Sequence, residues 1–120
     1  MQRWLAGSLM LILVCATAEA QTCRKEKTNQ LGTAGADITI SSSAVTIANR
    51  NTSRCSLYIH NSGANSMRCR DVTNDGVPTS TAGILFESGD EKTIVDTGQG
   101  VWQCIRVTSD TSANVSESLP

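Results

Sequence analysis

The chain has 120 residues, of which 10 are Lys or Arg and 11 are Asp or Glu, so its formal net charge is −1 at pH 7. This balance lacks the excess of positive charge that is typical of proteins that bind nucleic acid or anionic membranes. Aromatic residues make up only 3% of the chain, which predicts a thin core and a single, marginally stable domain.

Residues 1–20 have the three regions of a secretory signal peptide. Arg3 gives the short first region a positive charge, and an uncharged apolar run follows over residues 9–16. Ala18 and Ala20 then place small residues at the −3 and −1 positions of a cleavage site. Because the apolar run is about half of the roughly 20 residues that a spanning helix needs, we predict cleavage near Ala20. The product would be secreted to the periplasm or beyond, with no membrane contact other than export.

Three segments follow from this division: a signal peptide at 1–20, an N-terminal arm at 21–35 and one β domain at 36–120. The arm is polar, with four charged residues at 24–27, and we expect Cys23 to pin it to the domain. An arm of this kind could add a strand to the sheet of a neighbouring subunit.

Short runs of alternating apolar and polar residues, separated by turn residues, predict about eight strands in the rest of the chain. The runs are 37–40, 44–48, 55–60, 65–71, 84–86, 93–95, 101–107 and 113–117. None of these runs has the 3.6-residue apolar period of a helix, and the loop at 74–78 is rich in turn residues. The predicted fold class is all-β: a single small antiparallel β-sandwich, jelly-roll or Ig-like, with about seven or eight strands.

The third and fourth predicted strands are expected to form a hairpin. If residues 62–64 make a three-residue turn, Ile59 lies opposite Met67. Leu57 then lies opposite Cys69, so the apolar faces of the two strands coincide.

Four cysteines remain after the signal is removed: Cys23, Cys55, Cys69 and Cys104. An even number in a small exported domain predicts two disulfides, each stabilising by about 2–4 kcal/mol. In the expected hairpin Cys55 lies opposite Asp71, not opposite Cys69, so those two cysteines are poorly placed to bond. The open pairings are Cys69–Cys104 with Cys23–Cys55, and Cys55–Cys104 with Cys23–Cys69. We prefer the first, because it ties the arm to the first strand of the hairpin.

A longer pattern spans several of these strands. Residues 49–65 contain an Asn- and Arg-rich turn, a Ser-Leu-x-Ile-x-Asn strand and a Gly-Ala-Asn turn. Residues 83–89 add Gly-Ile-x-x-x-x-Gly, and a Gly-Val-Trp segment begins at Gly100. This succession resembles small β-sandwich proteins of bacteriophage particles and covers residues 37–108. The resemblance implies a sandwich fold and a place in a larger assembly. Phage structural proteins normally assemble without an export signal or disulfides, so this chain departs from the pattern in both respects.

Motifs for chemistry are absent from the sequence. It has no Gly-rich phosphate loop, no C-x-x-C pair and no Gly-x-Ser-x-Gly elbow. His60 is the only histidine and is expected on the solvent face of its strand, while Trp102 is expected in the core. Asp71, Asp75 and Asp90 lack the spacing of a calcium loop. We therefore expect a protein that is not an enzyme and binds neither cofactor nor metal.

Candidate contact residues are Arg54, Arg68, Arg70 and Tyr58, since the arginines form a modest basic group on neighbouring predicted strands. The function that we expect is structural: a subunit or decoration of a phage-like particle or extracellular polymer, acting by self-association or by docking on a larger assembly. The alternative is a secreted monomeric binding module that recognises a surface glycan or protein. Neither function involves nucleic acid.

Overall fold

The computed structural model describes residues 27–31, 37–95 and 98–120. In this part of the chain it contains nine strands and one helix. In chain order they are β1 (Lys27–Leu31), β2 (Ile38–Ile40), β3 (Val45–Ala48), β4 (Ser56–Asn61), β5 (Met67–Asp71), α1 (Val72–Asp75), β6 (Ile84–Phe86), β7 (Glu91–Val95), β8 (Trp102–Arg106) and β9 (Thr111–Leu119). The prediction of a mostly β, antiparallel fold is confirmed.

The strands form two antiparallel sheets. The five-stranded sheet has the order β1-β9-β4-β7, and β2 also pairs with β9, on the side that β1 occupies. The four-stranded sheet has the order β3-β8-β5-β6. Four of the pairings are nested along the chain: β2 with β9, β3 with β8, β4 with β7 and β5 with β6. The chain from β2 to β9 is therefore a long antiparallel ribbon folded over into two sheets.

Alternation along the strands places one face of each sheet against a shared core. In β4 the buried residues are Leu57, Ile59 and Asn61, and in β5 they are Met67, Cys69 and Asp71. The apolar core also takes residues from most other strands: Ile40, Ile47, Ala48, Phe86, Trp102, Cys104, Ala113 and Val115.

Two predictions about the core are confirmed. Trp102 is only 3% exposed, because its strand β8 lies between β3 and β5 and turns it inward. Cys69 and Cys104 form a disulfide with a Cα–Cα distance of 4.1 Å. They are direct partners in the β5–β8 register, and both side chains are fully buried.

The predicted hairpin is wrong. β4 and β5 lie in different sheets, so Ile59 does not pair with Met67. The residues between them cross from one sheet to the other, and the backbone N–H of Ser62 donates to the carbonyl of Ser112 on β9. Both strands keep the alternation that the sequence shows, but their apolar faces meet across the core instead of side by side.

Two further differences concern short segments. Val72–Asp75 forms one turn of helix, which begins directly after the predicted fourth strand and runs into the predicted loop. Lys27–Leu31, placed by the sequence in the arm, pairs with β9 as a strand of the five-stranded sheet. The predicted signal peptide and Cys23 lie outside the described residues.

Candidate interaction surface

Arg54 is the largest fully buried side chain of the described residues, at 2% exposure, and it joins its own loop to the loop at 98–100 and to β9. Its Nε donates to Glu117 Oε2 at 2.8 Å. Its Nη1 donates to the carbonyl of Gly98 at 2.6 Å and to that of Gly100 at 3.3 Å. Its Nη2 donates to the carbonyl of Asn49 at 2.7 Å. The guanidinium therefore neutralises a buried carboxylate and satisfies three carbonyls at one end of the domain.

Asn51 completes this end of the domain. Its Nδ2 donates to Glu117 Oε2 at 3.2 Å, and its Oδ1 accepts from the N–H of Ser53 at 3.0 Å. The N–H of Asn51 also donates to the carbonyl of Gln99 at 2.9 Å. We call Arg54, Glu117 and Asn51 the ion-pair cluster.

Asn61 plays the corresponding part at the opposite end of β4. It is fully buried, and its Nδ2 donates to the carbonyls of Asn65, at 2.7 Å, and Phe86, at 3.1 Å. Its Oδ1 accepts from the Thr111 hydroxyl at 2.8 Å and from the N–H of Gly63 at 3.2 Å. Phe86 belongs to the four-stranded sheet, so this one amide joins the two sheets and the crossing segment between them.

The close packing of residue 63 against β9 requires a glycine. A Cβ at this position would lie 2.6 Å from the backbone nitrogen of Ser112 and would also meet the Thr111 hydroxyl. Real Cβ atoms do not approach backbone that closely, so no residue other than glycine fits without movement.

The structure does not bring the four candidate contact residues together. The prediction for Arg54 is wrong, because its side chain is committed to the ion-pair cluster and is not at the surface. Arg68 and Arg70 alternate with the buried residues of β5 and so lie on the outer face of the four-stranded sheet. Tyr58 lies on the outer face of the other sheet. A single basic contact patch of these residues is therefore not formed.

The side chain of Arg68 also makes two hydrogen bonds to backbone carbonyls of its own chain. Its Nη1 donates to the carbonyl of Gly83 at 2.9 Å and its Nε to that of Ser80 at 3.2 Å. These bonds hold the loop before β6 against β5.

The outer face of the five-stranded sheet is lined by hydroxyl and amide groups. We call it the hydroxyl face, and its polar, uncharged members on β4, β7 and β9 are Ser56, Tyr58, His60, Thr93, Ser112, Asn114, Ser116 and Ser118. The register also places Glu91 and Val95 on this face, opposite His60 and Ser56. Its two rings, Tyr58 and His60, have centroids 6.5 Å apart. The prediction that His60 shares a face with Tyr58, away from the apolar residues, is confirmed.

Tyr58 donates a hydrogen bond from its hydroxyl to the carboxylate of Glu91, on β7. This bond raises the pKa of Tyr58 above its usual 10.0, with smaller contributions from desolvation and from the carboxylate's charge. The phenol therefore stays neutral and remains a hydrogen-bond donor throughout the physiological pH range. Glu91 is 33 residues from Tyr58 in the chain and is brought next to it by the β4–β7 register.

One side of the domain ends in an edge strand of each sheet, β6 and β7, which we call the β6–β7 margin. Lys92 on β7 joins them, because its Nζ donates to the carbonyl of Leu85 at 2.9 Å and lies 4.8 Å from the centre of the Phe86 ring. Two aliphatic side chains are exposed here, Val95 at 57% and Ile84 at 39%. Edge strands offer backbone groups on which another chain can pair.

Asp71 and Asp90, which the sequence analysis weighed as calcium ligands, lie in different parts of the fold and have other hydrogen-bond partners. Asp71 is buried and caps α1, accepting from the N–H of Thr73 at 3.0 Å and from Asn74 Nδ2 at 2.7 Å. Asp90 lies in a different turn, where it accepts from the N–H of Glu87. Across the part of the chain that the structure describes, no three His, Cys, Asp or Glu side chains are grouped to hold a metal ion.

Comparisons with protein-family models, with curated proteins and with solved structures found no match to this chain. Within the described ranges, no helix has the length and apolar character needed to cross a membrane.

Proposed function

We propose that the chain is an exported, non-catalytic assembly protein: a subunit or decoration of a phage-like particle or of an extracellular polymer. The observation that carries this proposal is the strand order. The nested pairs from β2 to β9, folded into two facing four-strand sets, correspond to an eight-stranded jelly roll. Jelly rolls are recurrent in viral capsid domains and in lectins.

The phage-like pattern supports the same proposal through the roles of its residues. Arg54, from the Asn- and Arg-containing turn, holds one end of the domain. Asn61, which ends the Ser-Leu-x-Ile-x-Asn strand, joins the two sheets at the other end. Gly63 of the following turn permits the close approach to β9. The pattern thus specifies how a jelly roll is closed, and chains that share it are expected to share this architecture.

The β6–β7 margin supports assembly as the mode of action. An edge strand of each sheet lies there, the two are bridged by Lys92, and Val95 and Ile84 are exposed. Burying aliphatic side chains of this kind at an interface stabilises it by about 25 cal/mol per Å² of apolar area removed from water. We propose this margin as the surface for self-association or for docking on a larger lattice.

A second disulfide, Cys23–Cys55, is part of the proposal. Cys55 is itself disulfide-bonded, and it precedes β4 by one residue. Thr28 on β1 and Ser56 on β4 pair with the same residue of β9, Ser118, from opposite sides. Those two positions are about 10 Å apart, at two strand spacings.

Cys23 is close enough in sequence to make this bond. It precedes Thr28 by five residues, a length of chain that reaches up to roughly 17 Å. The Cys69–Cys104 bond is compatible with an oxidising compartment. We accordingly propose secretion with cleavage near Ala20.

The test is to express the full chain with its signal and to examine the secreted product by intact mass, light scattering and electron microscopy. We expect a mass lower by residues 1–20 and by four hydrogens, and particles larger than a monomer. Replacing both aliphatic residues of the margin, by Ile84→Lys with Val95→Lys, should abolish the larger particles. The matched control is Val77→Lys, at a loop position 53% exposed, which should leave them intact. A product that stays monomeric at every concentration would refute self-assembly.

The hydroxyl face favours a second candidate, a monomeric module that recognises a surface glycan. Tyr58 supplies an aromatic ring, and its neighbours Ser116 and Asn114 supply the hydroxyl and amide groups with which proteins bind sugar hydroxyls. Binding of soluble polysaccharides by calorimetry tests this candidate. Loss of binding in Tyr58→Ala, with full retention in Arg70→Ala on the opposite sheet, is the expected result.

A further inference from the structure

β1 stands outside the nested set of strands. β2 to β9 pair with one another in an order that is complete without it. β1 is added alongside the edge of β9, where it pairs from Lys27 opposite Leu119 to Leu31 opposite Val115. β2 covers only Thr111–Ala113 of that same edge. The edge of β9 from 115 to 119 is therefore a five-residue slot that β1 fills.

The segment that connects β1 to β2 is longer than the distance that it has to span. Leu31 lies opposite Val115 and Ile38 lies opposite Ala113. Two residues along a strand correspond to about 7 Å. The six residues 32–37 that connect β1 to β2 can span up to roughly 23 Å. At the other end of β1, the proposed Cys23–Cys55 bond keeps Thr28 within about 17 Å of Cys55. β1 is thus able to reach another β9 edge only where that edge lies directly beside its own, within both limits.

β1 can make the same contacts with the slot of a neighbouring copy as with the slot of its own chain. Its sequence is Lys-Thr-Asn-Gln-Leu, so four of its five residues are polar. What it offers β9 is mainly backbone hydrogen bonds, which any copy of the strand makes equally well. Leu31 is its single apolar residue and packs at the edge of the core.

We propose that β1 is exchanged between copies of this chain, so that the 115–119 slot of one copy is filled by residues 27–31 of its neighbour. This inference rests on the proposed assembly function and names the contact that links the subunits. A short connection gives the chain's own β1 an effective concentration in the millimolar range. In dilute solution β1 therefore fills the slot of its own chain. Exchange predominates when assembly holds the slot of a neighbouring copy at a comparable or higher effective concentration.

Cross-linking between two differently tagged full-length chains tests the exchange. Gln30 and Ser116 are register partners, so cysteines placed at these positions have Cβ atoms about 5 Å apart. One chain carries Gln30→Cys, the other carries Ser116→Cys, and the two are exported together. We expect a covalent dimer that contains both tags, on a non-reducing gel of the assembled fraction. A chain carrying both substitutions shows whether the same pair also bonds within one copy.

The matched control replaces Ser116→Cys by Ser112→Cys. Ser112 is on the same face of β9 but pairs with Thr39 of β2, four residues from Ser116, so no mixed dimer should form. Assembled particles without the Gln30–Ser116 mixed dimer would overturn the exchange and leave the assembly function standing. A monomeric product with no mixed dimer would overturn both. Failure of the doubly substituted chain to cross-link in any form would overturn the β1–β9 pairing itself, and with it the exchange.

Discussion

Replacing Arg54 by Met is the most direct test of how this small core is held together. Met keeps the length of the side chain but removes the charge and every donor. Glu117, 6% exposed, would then keep only the Asn51 amide at 3.2 Å. The carbonyls of Gly98 and Asn49 would also lose their donors, now at 2.6 and 2.7 Å.

Breaking a buried ion pair by removing one partner costs about 3–5 kcal/mol, against a total of roughly 5–15 kcal/mol for a domain of this kind. We expect the midpoint of thermal unfolding to fall by roughly 12 °C or more. The assay is urea unfolding followed by tryptophan fluorescence, with a thermal scan by circular dichroism. Trp102 reports on the core because it is 3% exposed.

Arg50→Met is the matched control, since Arg50 lies four residues earlier and is exposed. It should change the free energy of unfolding by less than about 0.5 kcal/mol. The double variant Arg54→Met with Glu117→Leu should recover part of the loss, because it removes the uncompensated carboxylate. If Arg54→Met costs no more than Arg50→Met, the role assigned to the ion-pair cluster is refuted.

Three other predictions follow from the same contacts. Asn61→Ala should destabilise the fold by about 2–4 kcal/mol, since it leaves buried partners on both sheets without their hydrogen bonds; urea unfolding measures this. Gly63→Ala should cost about 1–3 kcal/mol through overpacking against β9, and a lower midpoint of thermal unfolding is the readout. Tyr58 is the only tyrosine of the chain, so ultraviolet titration should show a single pKa above 10.0, which falls in Glu91→Ala. Since folding raises this pKa, the stabilisation by the Tyr58–Glu91 contact is complete below pH 10.0 and is lost as the pH rises through the folded-state value.

Each of these predictions has a result that contradicts it. Asn65→Ala is the control for Asn61, because its side chain donates only to the carbonyl of Asp110 in an exposed bond. Equal losses in the two variants would show that Asn61 does not join the sheets. A Gly63→Ala protein as stable as the parent would contradict the close packing of this turn. A Tyr58 pKa unchanged by Glu91→Ala would show that the carboxylate is not its partner in solution.

Strand positions were predictable because alternation is a local property. β6 is predicted to the residue, and β2, β3, β4 and β8 within one or two residues at each end. The partner of each strand was not predictable in the same way. The alternation of buried and outward-facing residues in β4 and β5 is compatible with a hairpin. It is equally compatible with two strands that face each other across the core. Asn61 decides between them through bonds to residues 25 and 50 positions away.

Arg54 illustrates the same limit for the candidate site. A charged residue next to a strand is most often exposed, and nothing near it in sequence indicates burial. Its partner Glu117 is 63 residues away. Glu117 occupies an inward position of β9, where the alternation would otherwise place an apolar residue. The sequence holds one signal of this buried pair. Glu117 stands at an apolar position of β9, and Arg54 stands just before β4.

The position of β9 has a consequence for the order in which the protein can be made. β9 lies between β4 on one side and β1 and β2 on the other, yet it follows all of them in the chain. A nascent chain that has not yet reached Thr111 lacks the strand that unites the five-stranded sheet, and β1 and β2 have nothing to pair with. The polypeptide therefore stays without the complete five-stranded sheet while residues 111–119 are still to be added. Folding can be completed only after β9 has been synthesised.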